Sequence, residues 1–213
     1  LTFAIMQGME NEVFKKLETI NFSSKILDDG FSKPDDENFF FTIYKKAIVN
    51  NGDNYRLINV RAIENFIKFK DNILSELLVQ TIDDTNGVIL GRGLASKLNV
   101  SIGDFIELVS PMDVSLLTGI PTSVKVKISG IFNLQLLHYD DQYIFTNLSL
   151  GETLFKSIDK EIHSHLTPIQ LKLKYKNIKN IETWKDGHIN FISAMSLEKL
   201  AFSSFGFLII LLS

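Results

Sequence analysis

From Val88 to Pro111 the chain reads VILGRGLASKLNVSIGDFIELVSP. Val88-Ile89-Leu90 is a short continuous apolar run and reads as a buried strand. Gly91-Arg92-Gly93 is a turn, Leu94 to Leu98 a short helix, and Asn99 to Asp104 a second turn that opens a strand over Phe105 to Val109. Short helices and turns between strands indicate an α+β fold with mixed or antiparallel sheets.

The flanking segments continue this pattern. Downstream, Val124, Val126 and Ile128 alternate along a strand that ends at Phe132. Gln142 to Thr146 is another strand. Leu150 to Lys160 is expected to be a helix capped by Ser149. The alternation of Ile169, Leu171 and Leu173 predicts a strand over Ile169 to Lys174, and Asn190 is expected to cap a final helix. Upstream, Ile5, Met9, Val13 and Leu17 recur at helical spacing. Ser32 to Asn38 is a polar turn region. Phe39 to Ile48 and Tyr55 to Val60 read as a hairpin around Asn50-Asn51-Gly52-Asp53, because Asn-Gly favours the positive φ of a tight turn. Ile63 to Val79 is apolar at mixed spacing and has no clear period.

The chain has 213 residues, 45% hydrophobic content and a formal net charge of −3. That is enough for one sizeable core or two small subdomains. The balance of charge lacks the basic face that nucleic acid requires. With no cysteine in the chain, thiol nucleophiles, Cys-ligated zinc and disulfides are excluded. From Leu200 to Ser213 the sequence LAFSSFGFLIILLS carries no charge, and Leu1 to Met6, LTFAIM, is likewise apolar. A membrane span needs about 20 such residues. The two ends read as stubs: the close of one membrane helix and the start of another.

Candidate chemistry is sparse. His163 and His165, placed i and i+2, would share a strand face and could hold a metal, yet two ligands are weak grounds for a site. They are expected to be solvated loop residues. His138-Tyr139-Asp140-Asp141 suggests an acid–base cluster but is expected to be polar turn sequence. Gly91-Arg92-Gly93 lacks the remainder of a phosphate-binding motif. The pairs Asp28-Asp29, Asp35-Asp36 and Asp83-Asp84 read as solvated turns.

Ser110 to Ser123, SPMDVSLLTGIPTS, is long for a connection between two strands. It carries Met112, Val114, Leu116, Leu117 and Ile120. Apolar surface of that kind on an exposed loop marks a partner site. The alternative is a loop folded back on the core, and the residues alone leave the two readings equal.

Several segments in the same order resemble the lipoprotein-releasing ABC permeases of the LolC/LolE type, within the MacB/FtsX-like permease group. MQGMENEVFKKL resembles that family's exit from its first membrane helix, with Gly8 and Met9 matching and Gln7 replacing the usual Asn. VILGRGLASKLNVSIGDFIELVSP resembles its central signature, and VKISGIFNLQLLHYDDQYIFTNL its next strand and hairpin. FISAMSLEKLAFSSFGFLIILL resembles its re-entry helix, through Ala194, Leu197, Glu198 and Lys199. The segment between Tyr175 and Gly187 is shorter than the family's, which usually holds another helix and strand there.

The resemblance implies a periplasmic domain of a bacterial inner-membrane protein. Residues 1–7 would end one transmembrane helix and 196–213 would begin the next. Residues 8–84 and 149–195 would form a membrane-proximal subdomain, and 85–148 an inserted one with a protruding loop at 110–123. It further implies no catalysis and no cofactor in this chain. The implied partners are a cytoplasmic ATPase subunit, a second permease subunit, a lipoprotein substrate and a periplasmic lipoprotein chaperone. The chaperone would bind a loop comprising Pro111, Met112, Leu116, Leu117, Gly119, Ile120 and Pro121. That loop matches the family's Thr-Pro-x-Gly-x-x-Pro-like sequence only in part, since its internal Pro and the basic residue after Gly are missing. The alternatives are a MacB-like export permease, a cell-division scaffold of the FtsX kind, and a soluble metal-dependent hydrolase built on His163 and His165.

Overall fold

The computed structural model describes the chain except residues 1, 29, 53, 115–118, 157–158 and 213, with side chains also left aside at 2–6, 73 and 205–212. In chain order the first half holds α1 (Thr2–Asn21), β1 (Ser24–Ile26), β2 (Phe39–Asn51), β3 (Asn54–Ile63), α2 (Phe66–Phe69), β4 (Leu78–Thr81), β5 (Val88–Gly91) and α3 (Arg92–Leu98). The second half holds β6 (Phe105–Val114), β7 (Pro121–Phe132), α4 (Leu137–Gln142), β8 (Tyr143–Asn147), α5 (Leu148–Leu154), β9 (Glu161–Ser164), α6 (Pro168–Lys174), β10 (Ile181–Thr183) and α7 (Ile189–Leu212). The fold is α+β with mixed strand pairing, as expected. Two compact units divide it, Leu1–Ser32 with Ser164–Ser213, and Lys33–His163.

In the Lys33–His163 unit the strands close on themselves. β2 pairs antiparallel with β3, and β3 pairs parallel with β8. β8 pairs antiparallel with β5, and β5 parallel with β7. β7 pairs antiparallel with β6, which returns to β2. Closure removes the exposed strand edges that an open sheet would leave. The inward residues alternate along each strand as the pleat demands: Ala47 and Val49 on β2, Ile58 and Val60 on β3, Ile106 and Leu108 on β6, Val126 and Ile128 on β7. α3 and α5 add Leu94, Leu98 and Leu154 to the same core, and Phe155 follows directly.

A second apolar layer covers the outer face of β3 and β8. Phe145 meets Phe132 and Phe69 with ring centroids 5.3 Å and 5.7 Å apart. Phe132 reaches this layer because β7 shifts register against β5 between Ile128 and Gly130. The extra residue turns the strand's alternation over.

Gly91 and Gly93 are required by close approach. A Cβ on Gly91 would collide with the Asp140 backbone carbonyl, and one on Gly93 with the Asp141 carboxylate. Gly91→Ala should therefore destabilise the chain by about 1–3 kcal/mol through overpacking against an immobile backbone. A chemical-denaturation midpoint equal to that of the unaltered chain would refute this.

In the other unit, β1 pairs antiparallel with β10. The Asp28 carboxylate accepts from the Lys179 and Asn180 amides at 2.6 and 3.1 Å. The Asp186 carboxylate accepts from the Thr183 amide and hydroxyl, which lowers its pKa and holds the turn before α7. α1 and α7 lie together, joined by Lys199 Nζ to Glu10 Oε2 at 2.8 Å. Among the described residues, no helix is long and apolar enough to cross a membrane.

Several local expectations are corrected. Pro168 to Lys174 is a helix and not a strand. Thr167 and Gln170 form a capping box and Pro168 opens the first turn, a combination that starts helices. Only Leu171 is buried; Ile169 and Leu173 are exposed, so their alternation marks no strand face. α5 ends at Leu154, short of Lys160, and its cap is Asn147, whose Oδ1 accepts from the Leu150 amide at 2.8 Å. α7 begins at Ile189 and not after an Asn190 cap.

Candidate docking hairpin

The segment from Ser110 to Ser123 is for the most part strand and not connection. β6 continues to Val114 and β7 begins at Pro121, with Val109 opposite Ser123, Ser110 opposite Thr122 and Val114 opposite Pro121. The register shifts between Ser110 and Val114, which leaves Pro111, Met112 and Asp113 in a bulge. The two prolines hid this from a sequence reading. Pro111 lies in the bulge and Pro121 opens its strand, the places where a missing N–H costs the ladder nothing.

The sequence-predicted site residues fall as follows. Met112 is 89% exposed and Ile120 63% exposed. Pro111 and Pro121 are exposed too. Gly119 has φ +67°, the left-handed region, and so allows the chain to turn before β7. Leu116 and Leu117 lie outside the described residues. Val114, 42% exposed, joins the apolar set. Met112, Val114 and Ile120 therefore face solvent and do not pack back on the core.

A residue that sequence reasoning passed over holds the hairpin's base. Asp113 is 8% exposed. Its carboxylate accepts from the Ser110 hydroxyl at 2.6 Å and from the Lys156 amide at 3.0 Å. Its backbone carbonyl accepts from the Thr122 hydroxyl at 2.9 Å. A lone acid in an apolar stretch was the available signal.

The other candidates become structural. His163 is buried on β9 and not solvated; its Nδ1 lies 2.8 Å from the Thr42 hydroxyl and its Nε2 3.7 Å from Glu161. His165 is half-buried, its ring 5.0 Å from Phe22. Among the described residues, no group of three or more His, Cys, Asp or Glu is placed to hold a metal ion. Asp140 is buried in α4, where it accepts from the Leu134 and Leu136 amides at 2.7 and 3.0 Å. This carboxylate is occupied in holding backbone. Nearby, burial and the Tyr44 hydroxyl push the Tyr143 phenol well above its ordinary pKa, so it stays neutral.

A groove of about 320 Å³ runs between α1 and α7, lined by Met9, Val13, Met195 and Phe202 with the Glu10–Lys199 pair beside them.

No family model matches the chain, and no curated protein matches it. Among solved structures, the extracellular domain of the ABC-type transporter YknZ from Gram-positive bacteria is 12% identical, with a TM-score of 0.44 over 82% of this chain and 87% of that one. The periplasmic region of MacB from Actinobacillus actinomycetemcomitans is also 12% identical, with a TM-score of 0.42 over 84% of this chain and 82% of that one.

Proposed function

We propose that this chain is the extracytoplasmic domain of an ABC-transporter permease of the MacB/FtsX-like group, and that it belongs to the lipoprotein-releasing type. The observation that carries the finer reading is the β6–β7 hairpin. Its exposed Met112, in the β6 bulge, and Ile120, just before β7, lie at the position where the family resemblance puts a chaperone-binding loop. An exposed apolar residue suits docking, because covering it with a partner removes apolar surface from water. The coarser reading is supported by the order of resembling segments along the chain. It is supported also by the helices α1 and α7, which carry the apolar ends and meet through Glu10 and Lys199.

On this reading the chain does no chemistry. A separate cytoplasmic ATPase closes on ATP, and α1 and α7 act as levers, since a helix carries displacement along its axis without local unfolding. The domain then passes a lipoprotein from the inner membrane to a soluble periplasmic carrier. The subdomain division at 85–148 and the second permease subunit belong to the same proposal.

The test is a titration of the detergent-purified chain with the cell's periplasmic lipoprotein carrier. Met112 and Ile120 changed together to Ala should cost about 2 kcal/mol, roughly a thirtyfold loss in affinity. Absence of binding by the unaltered, folded chain would refute lipoprotein handover and favour a MacB-like export permease.

A further inference from the structure

We propose that Asp113 is a latch that sets the position of the β6–β7 hairpin by tying its bulge to the end of α5. Asp113 lies in the arm of the hairpin, within the bulge where β6 loses register with β7. A bulge leaves backbone groups outside the ladder and gives the strand a point at which to bend. Here that point is bound on three sides. The carboxylate takes the Ser110 hydroxyl on its own strand, the carbonyl takes Thr122 on the facing strand, and the carboxylate also reaches the Lys156 amide.

The third contact makes this more than local turn chemistry. Lys156 is 43 residues away in sequence from Asp113. It directly follows Phe155, which is fully buried among the inward residues of the barrel. The Lys156 amide is therefore held by the core, and the Asp113 carboxylate anchors the hairpin arm to it. A hydrogen bond to a charged acceptor at low exposure is among the stronger single contacts a chain can make. Pro111 and Met112, directly before Asp113, are exposed, so the latch is the buried point of the bulge from which they project.

The latch stands on these contacts alone. It bears on docking only if the proposed role of the hairpin is right, in which case Asp113 is its positioning residue.

Hydrogen exchange on the whole chain tests the latch without any partner. In Asp113→Ala, the Lys156 amide and those of Ser110, Val114, Thr122 and Ser123 should exchange about tenfold faster or more, the loss expected for a charge-assisted hydrogen bond. The amides of Ile89, Leu90 and Ile144, in the paired strands, should keep their rates. Asp113→Asn retains one carbonyl oxygen and should restore most of the protection at Lys156. Unchanged exchange at Lys156 in Asp113→Ala would overturn the latch. So would equal acceleration of the barrel amides, or an Asp113→Asn variant that exchanges as fast as the Ala one.

Carrier affinity then separates the two proposals. Loosened exchange with no carrier binding by the unaltered chain keeps the latch and removes the docking reading. Binding by the unaltered chain with unaltered exchange in the variant removes the latch alone.

Discussion

Phe155→Ala should lower the stability of the chain by about 3–5 kcal/mol, the range for truncating a fully buried aromatic side chain. Phe155 is completely buried and sits among the inward residues of the barrel, directly after α5. The cavity left behind is walled by strands that close on one another, so the surrounding structure has little freedom to collapse into it. Denaturant unfolding should show a lower midpoint with an unchanged slope, since the surface exposed on unfolding stays the same. Phe105→Ala is the control. Phe105 is 53% exposed, and its loss should cost less than about 1 kcal/mol. Similar midpoints for the two variants would show that Phe155 is not part of the core.

Asp140→Ala should cost about 2–4 kcal/mol, because it removes a charged acceptor from two backbone amides at once. One of those amides belongs to Leu134, which is completely buried and has no water to turn to. The same turn packs against Gly91, so its loosening spreads to the start of α3. Asp140→Asn keeps one carbonyl oxygen and should lose about half as much. Thermal unfolding of the two variants measures this directly. An Asp140→Ala chain that melts with the unaltered one would mean the amides find other acceptors.

These two residues show how differently core and polar positions can be read in advance. Phe155 is apolar but falls in the middle of what reads as one helix from Leu150 to Lys160, so its place as a core plug just past the end of α5 was hidden by that false extension. Asp140 reads as turn polarity beside His138. Its actual role depends on Leu134 and Leu136 curling back over it, and no spacing rule announces that. The β6–β7 hairpin was half legible. The exposed apolar residues Met112 and Ile120 stood out because apolar side chains outside a strand are unusual. The strand pairing on either side of them did not, since Pro111 and Pro121 look like interruptions until the bulge is seen.

Much of the local structure follows from residue pattern. Alternation of apolar residues over Val124 to Ile128, the β2–β3 hairpin with its turn at Gly52 and the β5–α3–β6 succession all reappear in the structure. Each depends only on neighbours within a few residues and on the period of the backbone. The closure of β6 onto β2 and the parallel pairing of β3 with β8 depend on long-range packing. So does the choice of which polar groups are buried, Asp113, Asp140 and His163 among them. Strand partners are chosen by which apolar faces can be covered together. A buried polar group survives only where a distant chain segment supplies its hydrogen-bond partner. Both conditions join residues far apart in sequence, and no local pattern carries them.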